Sequence, residues 1–300
     1  MRVKIRGLIK PVALNSVALL LLIFIVGPLL WVAVASIQGE RELLRQPTRL
    51  IPQNPTLDNY EYVFTGKIPT DLDVKGNTLR SRISQEARLI PASLKNSFLV
   101  ATSVMLINLL IGPLAAYTFS RMKFRGKTAS FNLILGSRLL PVIAVAIPYY
   151  VIIQSLGLLD THLSLILVYL VLTLPFTIWF LTLYFNGIPT DFEDAALIDG
   201  CSTIQSLTRV VIPIALPGLV AAAAFAFMTS YNEFLFARFL TQSIDSQTGP
   251  VLIAAIAGNP DASYSLISVS MTLGLIPPLL LALLLRRWLT EGLSTSITFR

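Results

Sequence analysis

The chain has 300 residues, of which 54% are hydrophobic and 13% charged, and its mean hydropathy of +0.73 excludes an ordinary water-soluble domain. Its formal net charge is +7, but the basic residues lie between apolar runs and not on a polar face with interleaved aromatic residues, so no nucleic acid partner is expected. One cysteine, Cys201, and one histidine, His162, exclude a disulfide framework and a Cys/His metal site.

Uncharged runs long enough to cross a membrane recur along the chain, since a hydrocarbon core about 30 Å thick needs roughly 20 apolar residues per helix. They lie at residues 11–39, 96–120, 139–159, 161–190, 210–232 and 262–285. We expect the third span to begin before Arg138, near Phe131, and the fourth to run from Leu163 to Tyr184, before the break at 186–189. The predicted fold class is an all-α membrane protein with six transmembrane helices.

The first run admits a second interpretation. Basic residues within 1–10, the apolar stretch that follows and the small residues Ala33, Ala35 and Ser36 also fit a cleaved signal peptide. The apolar core of a signal peptide is roughly 7–15 residues, which is shorter than this run. A retained first span is therefore the simpler interpretation.

Short basic segments predict the orientation. They precede the first span at 1–10, follow the second at 121–127 and follow the sixth at Arg286 and Arg287, whereas the loop 241–264 has no Lys or Arg. With six spans, the three basic segments share one side of the membrane. Both termini are therefore expected in the cytoplasm.

The spans and the orientation together predict the organisation of the chain. In order, we expect a cytoplasmic N-terminus (1–10), a first span (11–37), an extracytoplasmic loop (38–94), a core of five further spans (95–290) with a cytoplasmic loop at 187–213, and a cytoplasmic tail (291–300). The first loop is rich in Pro, Asn and Asp, which is typical of an irregular segment with short helices at most.

The loop at 187–213 is too polar to span, and its pattern predicts a short helix over residues 191–199. Thr190 and Glu193 have the spacing of a capping box, and the acidic residues of the first turn favour the positive end of a helix. Gly200 suits the left-handed conformation that ends many helices.

A second short helix is predicted after Gly200. Ser202 and Gln205 repeat the capping spacing, and Pro213 limits how far this helix extends before the fifth span. Ala195 and Ala196 give the first helix a small-residue surface, which suits insertion into a groove on another protein. A helix resting on lipid headgroups or on its own bundle would show the same pattern, so both interpretations stand at this point.

The same loop resembles a known family. Asp194-Ala195-Ala196, Gly200, Val210 and Ile212-Pro213 reproduce the spacing of the EAA loop of permease subunits in bacterial ABC importers. The chain departs from that pattern with Asp194 for Glu, Val210 for Ile and Ile212 for Leu, all conservative in charge or shape. The extended form from Glu193 to Pro213 is similar to the smaller permease of the maltose type, in the carbohydrate-uptake branch.

Further matches support the resemblance over nearly the whole chain. They lie at residues 56–60, 96–97, 116–117, 140–141, 156–161, 175–179 and 231–235, and they thin out over 66–91 and 292–300. The fold that the resemblance implies is that of a type I ABC importer permease. The implied location is the bacterial inner membrane, with contacts to membrane lipid.

The resemblance also implies a division of labour. An extracytoplasmic solute-binding protein delivers a sugar or related polar solute, a second permease completes a heterodimer, and two ATPase subunits supply energy. The residues implied in ATPase coupling are Glu193, Asp194, Ala195, Ala196, Asp199, Gly200 and Pro213. The chain itself is then not an enzyme and needs no cofactor, because ATP and Mg²⁺ are bound by the ATPase; Gly126-Lys127-Thr128 matches only the end of a phosphate loop.

Two groups of polar residues within or beside the spans are candidates for the pathway or its gate. Arg138 lies in an apolar stretch, where a charge costs roughly 2.5–3.5 kcal/mol on insertion scales, and either lines the pathway or forms a structural contact. Tyr231, Asn232 and Glu233 follow the fifth span, where gating or structural pairing is favoured over direct contact with solute. His162 is expected in a solvated turn.

Two other classes of protein share some of these features. A six-span secondary transporter needs spans and buried charges, but it needs no docking loop, and obvious inverted repeats are absent. An intramembrane hydrolase fails for want of a Gly-x-Ser-x-Gly elbow with a His partner. The sequence leaves the identity of the solute open.

Overall fold

The computed structural model describes residues 2–47, 49–69 and 85–298, and the regular structure in these ranges is helical throughout. Short helices at Gln85–Leu89 and Ser137–Leu139 are of the 3₁₀ type, and Leu207–Val211 is π-helical. The α-helices are α1 (Arg2–Ser36), α2 (Glu40–Leu43), α3 (Asp58–Thr65), α4 (Ile90–Arg121), α5 (Lys127–Gly136), α6 (Val142–Ser155), α7 (His162–Asn186), α8 (Asp191–Ile198), α9 (Thr203–Ser206), α10 (Ile212–Ile214), α11 (Leu216–Tyr231), α12 (Leu235–Leu240), α13 (Gly249–Gly258) and α14 (Tyr264–Thr298).

Four helices are long and apolar enough to cross a membrane, and two bent pairs raise the number to as many as six. The third predicted span is one such pair, in which Lys127–Leu139 meets Val142–Ser155 at 100°. The other pair joins Thr203–Ile214 to Leu216–Tyr231 at 82°. The predicted all-α membrane class is confirmed, but α1 and α4 begin several residues earlier than the apolar runs do.

The described residues fall into two compact units. The first comprises Met1–Pro91 and Ile253–Leu275, and the second comprises Ala92–Leu252 and Ile276–Arg300. Residues 70–84, which contain most of the segment where the family resemblance thins, lie outside the described part of the chain.

The first unit is held together by buried polar side chains. The Asn59 amide nitrogen donates to the Gln38 carbonyl at 2.9 Å. The buried Glu40 carboxylate accepts the N–H groups of Tyr264 and Ser265 at 3.0 and 2.9 Å. A carboxylate at this position stabilises the positive end of α14, whose first N–H groups have no partner within the helix.

Two of the apolar clusters of the second unit lie at the two ends of α7. The cluster at the start of α7 surrounds Tyr169 and Phe236 and includes Val100, Val104, Leu165, Leu240 and Val251. The cluster at the end of α7 surrounds Phe185 and includes Tyr117, Leu181, Tyr184, Leu207, Val211 and Leu219. The second cluster packs against the loop at 187–213.

Between the two clusters, α4 and α7 are joined by a buried polar network. The Asn108 amide nitrogen donates to the Thr173 hydroxyl at 2.8 Å, and the Thr177 hydroxyl donates to the Asn108 carbonyl oxygen at 2.9 Å. Gly112 permits this close approach, because a Cβ at that position would lie 2.6 Å from Thr177 Cγ2. Satisfied side-chain bonds of this kind hold membrane helices together where no hydrophobic effect does.

Candidate functional site

The first helix of the predicted docking loop is present as α8, Asp191–Ile198, one residue shorter than predicted. The predicted cap by Thr190 is wrong, because Thr190 has a helical backbone and its side chain makes no cap hydrogen bond. Its carbonyl instead accepts the N–H groups of Glu193 and Asp194 at 2.8 and 2.9 Å. The capping box cannot form because the Glu193 carboxylate is engaged elsewhere.

The end of α8 is a Schellman motif, in agreement with the prediction for Gly200. Gly200 has a φ of +86°, its N–H donates to the Leu197 carbonyl at 3.1 Å, and the Cys201 N–H donates to the Ala196 carbonyl at 3.0 Å. A Cβ at Gly200 would meet nothing within 4 Å. The backbone conformation, and not a lack of space, is therefore what requires glycine here.

The second helix of the loop begins with the predicted capping box. The Ser202 N–H donates to Gln205 Oε1 at 2.8 Å, and the Gln205 N–H donates to Ser202 Oγ at 3.3 Å. Pro213 does not end this helix, because the π-helical segment before it shifts the hydrogen-bond register and leaves the proline in the first turn of α10. The 82° bend falls two residues later, at Ala215.

Glu193 points into the bundle and not toward solvent. It is 5% exposed, its Oε1 lies 2.7 Å from Arg121 Nε, and its Oε2 accepts the Tyr117 hydroxyl proton at 2.7 Å. Removing one partner of such a buried ion pair typically costs about 3–5 kcal/mol, because the other charge is left without compensation. The start of α8 is therefore tied to the last turn of α4.

The remaining predicted coupling residues divide between two faces. Ala196 is 8% exposed and packs inward, so it does not offer the small-residue surface that the sequence predicted. Asp194, Ala195, Asp199, Gly200 and Pro213 are exposed. Beside them, Leu197 and Ile198 are 48% and 86% exposed. The outer face of α8 is thus apolar at its end and acidic at its start.

Arg138 makes a structural contact. It lies in the 3₁₀ turn between α5 and α6, and its guanidinium donates to the Leu172 carbonyl. Leu172 lies three residues before Pro175 in α7, within the turn whose backbone hydrogen bonds a proline weakens. This contact is of the kind expected for the structural role, and it joins the third span, beside its 100° bend, to the fourth.

The residues after the fifth span also make structural contacts. The Glu233 carboxylate accepts the N–H groups of Phe236 and Ala237 at 2.9 and 3.2 Å, so it caps α12. Asn232 donates to the Met228 carbonyl at 3.0 Å. Tyr231 is buried, with its ring stacked on Phe227 at a centroid distance of 5.6 Å.

One structural contact was not predicted from the sequence. Asp160, with a φ of 59°, joins the turn between α6 and α7 to the segment after α12. Its Oδ1 accepts the N–H groups of Gln242 and Ser243 at 2.8 and 2.9 Å and the Ser246 hydroxyl proton. Its own N–H donates to the Leu240 carbonyl at 2.8 Å.

The environment of Asp160 favours the charged carboxylate. Burial raises the pKa of this group, but the hydrogen bonds from Gln242, Ser246 and Ser243 outweigh burial and hold the pKa well below its usual value. Spacing in the sequence gives no signal for this contact, since the partners are 82 to 86 residues away. His162 nearby is only half-buried, at the first residue of α7.

In the ranges that the structure describes, no group of three or more His, Cys, Asp or Glu side chains is arranged to hold a metal ion. The fold and the loop instead define a class: a polytopic membrane protein that holds a short helix rigidly at one side and exposes apolar residues on its outer face.

Comparison with known proteins gives this class a family. Residues 108–295 match the family described as "Binding-protein-dependent transport system inner membrane component", and the chain belongs to that family. It is a multi-pass inner-membrane permease subunit of an ABC importer, which works with a separate ATPase and a binding protein. It is therefore a transport subunit and not an enzyme.

Individual relatives cover nearly the whole chain. The trehalose/maltose transport system permease protein MalG of Thermococcus litoralis is 31% identical over 95% of this chain and 96% of its own length. The trehalose transport system permease protein SugB of Mycobacterium tuberculosis is 30% identical over 89% of this chain and 90% of its own length. The predicted resemblance to carbohydrate-uptake permeases is confirmed.

A solved structure confirms the predicted fold. The crystal structure of a bacterial ABC transporter involved in the import of the acidic polysaccharide alginate contains a chain that matches with a TM-score of 0.70, at 20% identity, over 95% of this chain and 96% of that one. The type I ABC importer permease fold is thereby shown for this chain.

Proposed function

We propose that this subunit and a second, different permease form the pathway for a sugar or related polar solute, and that α8 is the helix through which two ATPase subunits drive it. One observation carries the proposal: α8 is fixed to the bundle on its inner face, while its outer face is exposed and ends in the apolar side chains of Leu197 and Ile198. Ile198 alone is 86% exposed. Apolar side chains displayed in this way on a polar loop are typical of a docking surface for another protein.

The mechanism follows from this attachment. ATP and Mg²⁺ bind on the ATPase subunits, and closure of the nucleotide sites moves the cleft that holds α8. Because α8 is tied to the bundle through Glu193, its displacement turns the spans as a body, and the pathway alternates between the two sides of the membrane. A helix joined to the bundle only by a flexible linker would move without turning the spans.

The distribution of basic residues supports the orientation that this mechanism needs. The segments at 1–10, 121–127 and 286–287 are basic, whereas 241–264 has no Lys or Arg, and basic segments next to spans favour the cytoplasm. Both termini and α8 are then cytoplasmic. The loops at 38–94 and 241–264 face the solute-binding protein.

The relatives support a sugar as the solute. Their names specify trehalose and maltose, sulfoquinovosyl glycerol, and diacetylchitobiose. These solutes differ in size and charge, so the shared chemistry is a polar, hydroxyl-rich molecule.

Copurification of the ATPase tests the docking role of α8. Ile198→Glu places a charge on the apolar end of the docking face, and we expect ATPase recovery with the permease to fall at least about tenfold, equivalent to about 1.4 kcal/mol of binding. Ile51→Glu is the matched control, because Ile51 is 81% exposed in the 38–94 loop. Unchanged recovery with Ile198→Glu contradicts the proposal.

Reconstitution separates this function from the secondary transporter. The permease pair in liposomes without the ATPase is expected to move no solute, and addition of the ATPase, ATP and the loaded binding protein restores uptake. Solute uptake driven by an ion gradient in the absence of the ATPase would instead establish the secondary transporter.

A further inference from the structure

Arg121 connects three segments of the second unit at one point. It is the last residue of α4, its Nε lies 2.7 Å from Glu193 Oε1 on α8, and its Nη2 donates to the Ile188 carbonyl at 2.8 Å. Ile188 lies in the turn between the end of α7 and the start of α8. One guanidinium therefore joins the ends of two membrane-length helices to the docking helix.

The contacts around this point leave the junction little freedom. Tyr117, one turn before Arg121 on α4, donates to the second oxygen of the same carboxylate at 2.7 Å. Glu193 is buried, whereas the neighbouring acidic residues Asp191 and Asp194 of α8 are exposed. A carboxylate that is buried and bound through both oxygens cannot rotate into water without losing the ion pair, so it holds the start of α8 to the end of α4.

The attachment is also placed where α8 begins. Pro189 separates the turn at Ile188 from α8, and a proline there removes one backbone donor from the connection. Without the side-chain links, the covalent connection from α7 to α8 would be a short turn able to bend. The guanidinium bridges this turn on both sides, through Ile188 before it and Glu193 after it.

We infer that Arg121 is a positioning residue for energy coupling: together with Tyr117 and Glu193 it makes α4, the end of α7 and α8 move as one body. The inference rests on the proposed role of α8 in docking. It assigns a separate task to the inner face of that helix, because contact with the ATPase is made by the outer face while the displacement is passed to the spans through Arg121.

Variants at this junction distinguish the contact of Arg121 with Glu193 from its contact with Ile188. Arg121→Gln removes the charge and both contacts. Arg121→Lys keeps a positive charge for Glu193, but a single ammonium lacks the planar fork that also reaches Ile188. Tyr117→Phe removes only the hydroxyl that donates to Glu193. Arg125→Gln is the matched control, since Arg125 is an exposed arginine in the polar turn that follows α4.

The readouts are measured on the complete transporter in proteoliposomes, with both permeases, the ATPase and the binding protein. They are ATPase copurification, the rate of ATP hydrolysis, and solute moved per ATP hydrolysed. For Arg121→Gln we expect copurification to be retained and solute per ATP to fall about tenfold, as expected when a buried charge loses its partner. Arg121→Lys and Tyr117→Phe should lower the amount of solute moved per ATP about two- to threefold, since each variant keeps part of the hydrogen-bond network.

Two results overturn the inference. Wild-type solute per ATP in both Arg121→Gln and Tyr117→Phe would show that the junction is not used in coupling. Loss of ATPase copurification in Arg121→Gln, with a wild-type ratio in Tyr117→Phe, would show that Arg121 only supports folding. Failure of the docking proposal is seen separately, as normal ATPase recovery with Ile198→Glu.

Discussion

The carboxylates of Glu193 and Asp160 each hold distant segments of the chain together, at opposite ends of α7. Each joins segments that are far apart in the sequence, over 72 residues from Arg121 to Glu193 and over 82 from Asp160 to Gln242. Glu193 is buried and faces a guanidinium and a phenol. Asp160 is half-buried, and its acceptor oxygen faces only N–H and O–H donors.

The difference lies in what happens when the contact opens. A neutral donor released from Asp160 can be satisfied by water at this half-buried turn, so the segments are able to part and rejoin at modest cost. A separated Glu193 and Arg121 would leave two charges without compensation in a buried position. One end of α7 is therefore held by a contact that is costly to open, at Glu193, and the other end by a contact that is able to open, at Asp160.

Loss of the Glu193 carboxylate should give the largest effect on stability. Glu193→Ala leaves the Arg121 charge uncompensated, and we expect the free energy of unfolding to fall by about 3–5 kcal/mol. Chemical unfolding of the detergent-solubilised permease complex measures this change. Asp191→Asn, at an exposed acidic position on the same helix, is the control and should stay within about 0.5 kcal/mol of wild type. An equal, small change in both variants would remove the distinction between the two carboxylates.

Gly200 tests whether α8 must be fixed at both ends. A φ of +86° is incompatible with proline, and a residue with a side chain pays about 1–2 kcal/mol in this region. Gly200→Pro should therefore disorder the end of α8, so that ATP hydrolysis continues while solute uptake falls. Uptake and hydrolysis assays on proteoliposomes measure both rates.

Gly187 supplies the matched control for that variant. Its φ is −76°, an ordinary helical value, so Gly187→Ala should retain uptake. Normal uptake by Gly200→Pro would show that the Glu193 end of α8 suffices for coupling.

The Asp160 contact should give a smaller effect on stability than Glu193 does, and a distinct pH dependence. Asp160→Asn weakens hydrogen bonds to a charged acceptor, and we expect a loss of about 1.5–3 kcal/mol at neutral pH. Because the folded pKa lies below the unfolded value of about 3.9, the contribution is fully present above that value and is lost as pH falls through the folded pKa.

Unfolding measured from pH 7 downwards checks the sign. The stability difference between wild type and Asp160→Asn should be constant above about pH 5 and should shrink below about pH 4, near the unfolded pKa. Asp245→Asn is the matched control, because Asp245 is exposed in the same segment as the partners of Asp160. A difference that grows on acidification would contradict the lowered pKa.

The spans were predictable because apolar length is a local property, but their ends were not. The helix α1 extends back to Arg2 through basic residues, because Lys and Arg are themselves good helix formers. The 100° bend of the third span falls at Leu140 and Pro141, whereas the contact of the nearby Arg138 with Leu172 in another helix could not be predicted from the sequence.

In the loop at 187–213, features set by local contacts were likewise predictable and features set by distant contacts were not. Gly200, Ser202 and Gln205 behave as predicted because their partners lie within five residues. Thr190 does not cap α8 because its backbone is helical. The reciprocal bond of a capping box is absent because Glu193 bonds Arg121, which the sequence suggested only as part of a basic segment that sets orientation. A contact across 72 residues leaves no trace in the spacing of one chain.

Cross-linking of the outer face of α8 to the ATPase tests the central claim most directly. A single cysteine is placed by Ile198→Cys in a Cys201→Ser background, within the assembled transporter, with Ile51→Cys as control. The account predicts a product with the ATPase from position 198 and none from position 51. The absence of an ATPase product at 198, or its labelling only by an impermeant reagent added from outside, would contradict it.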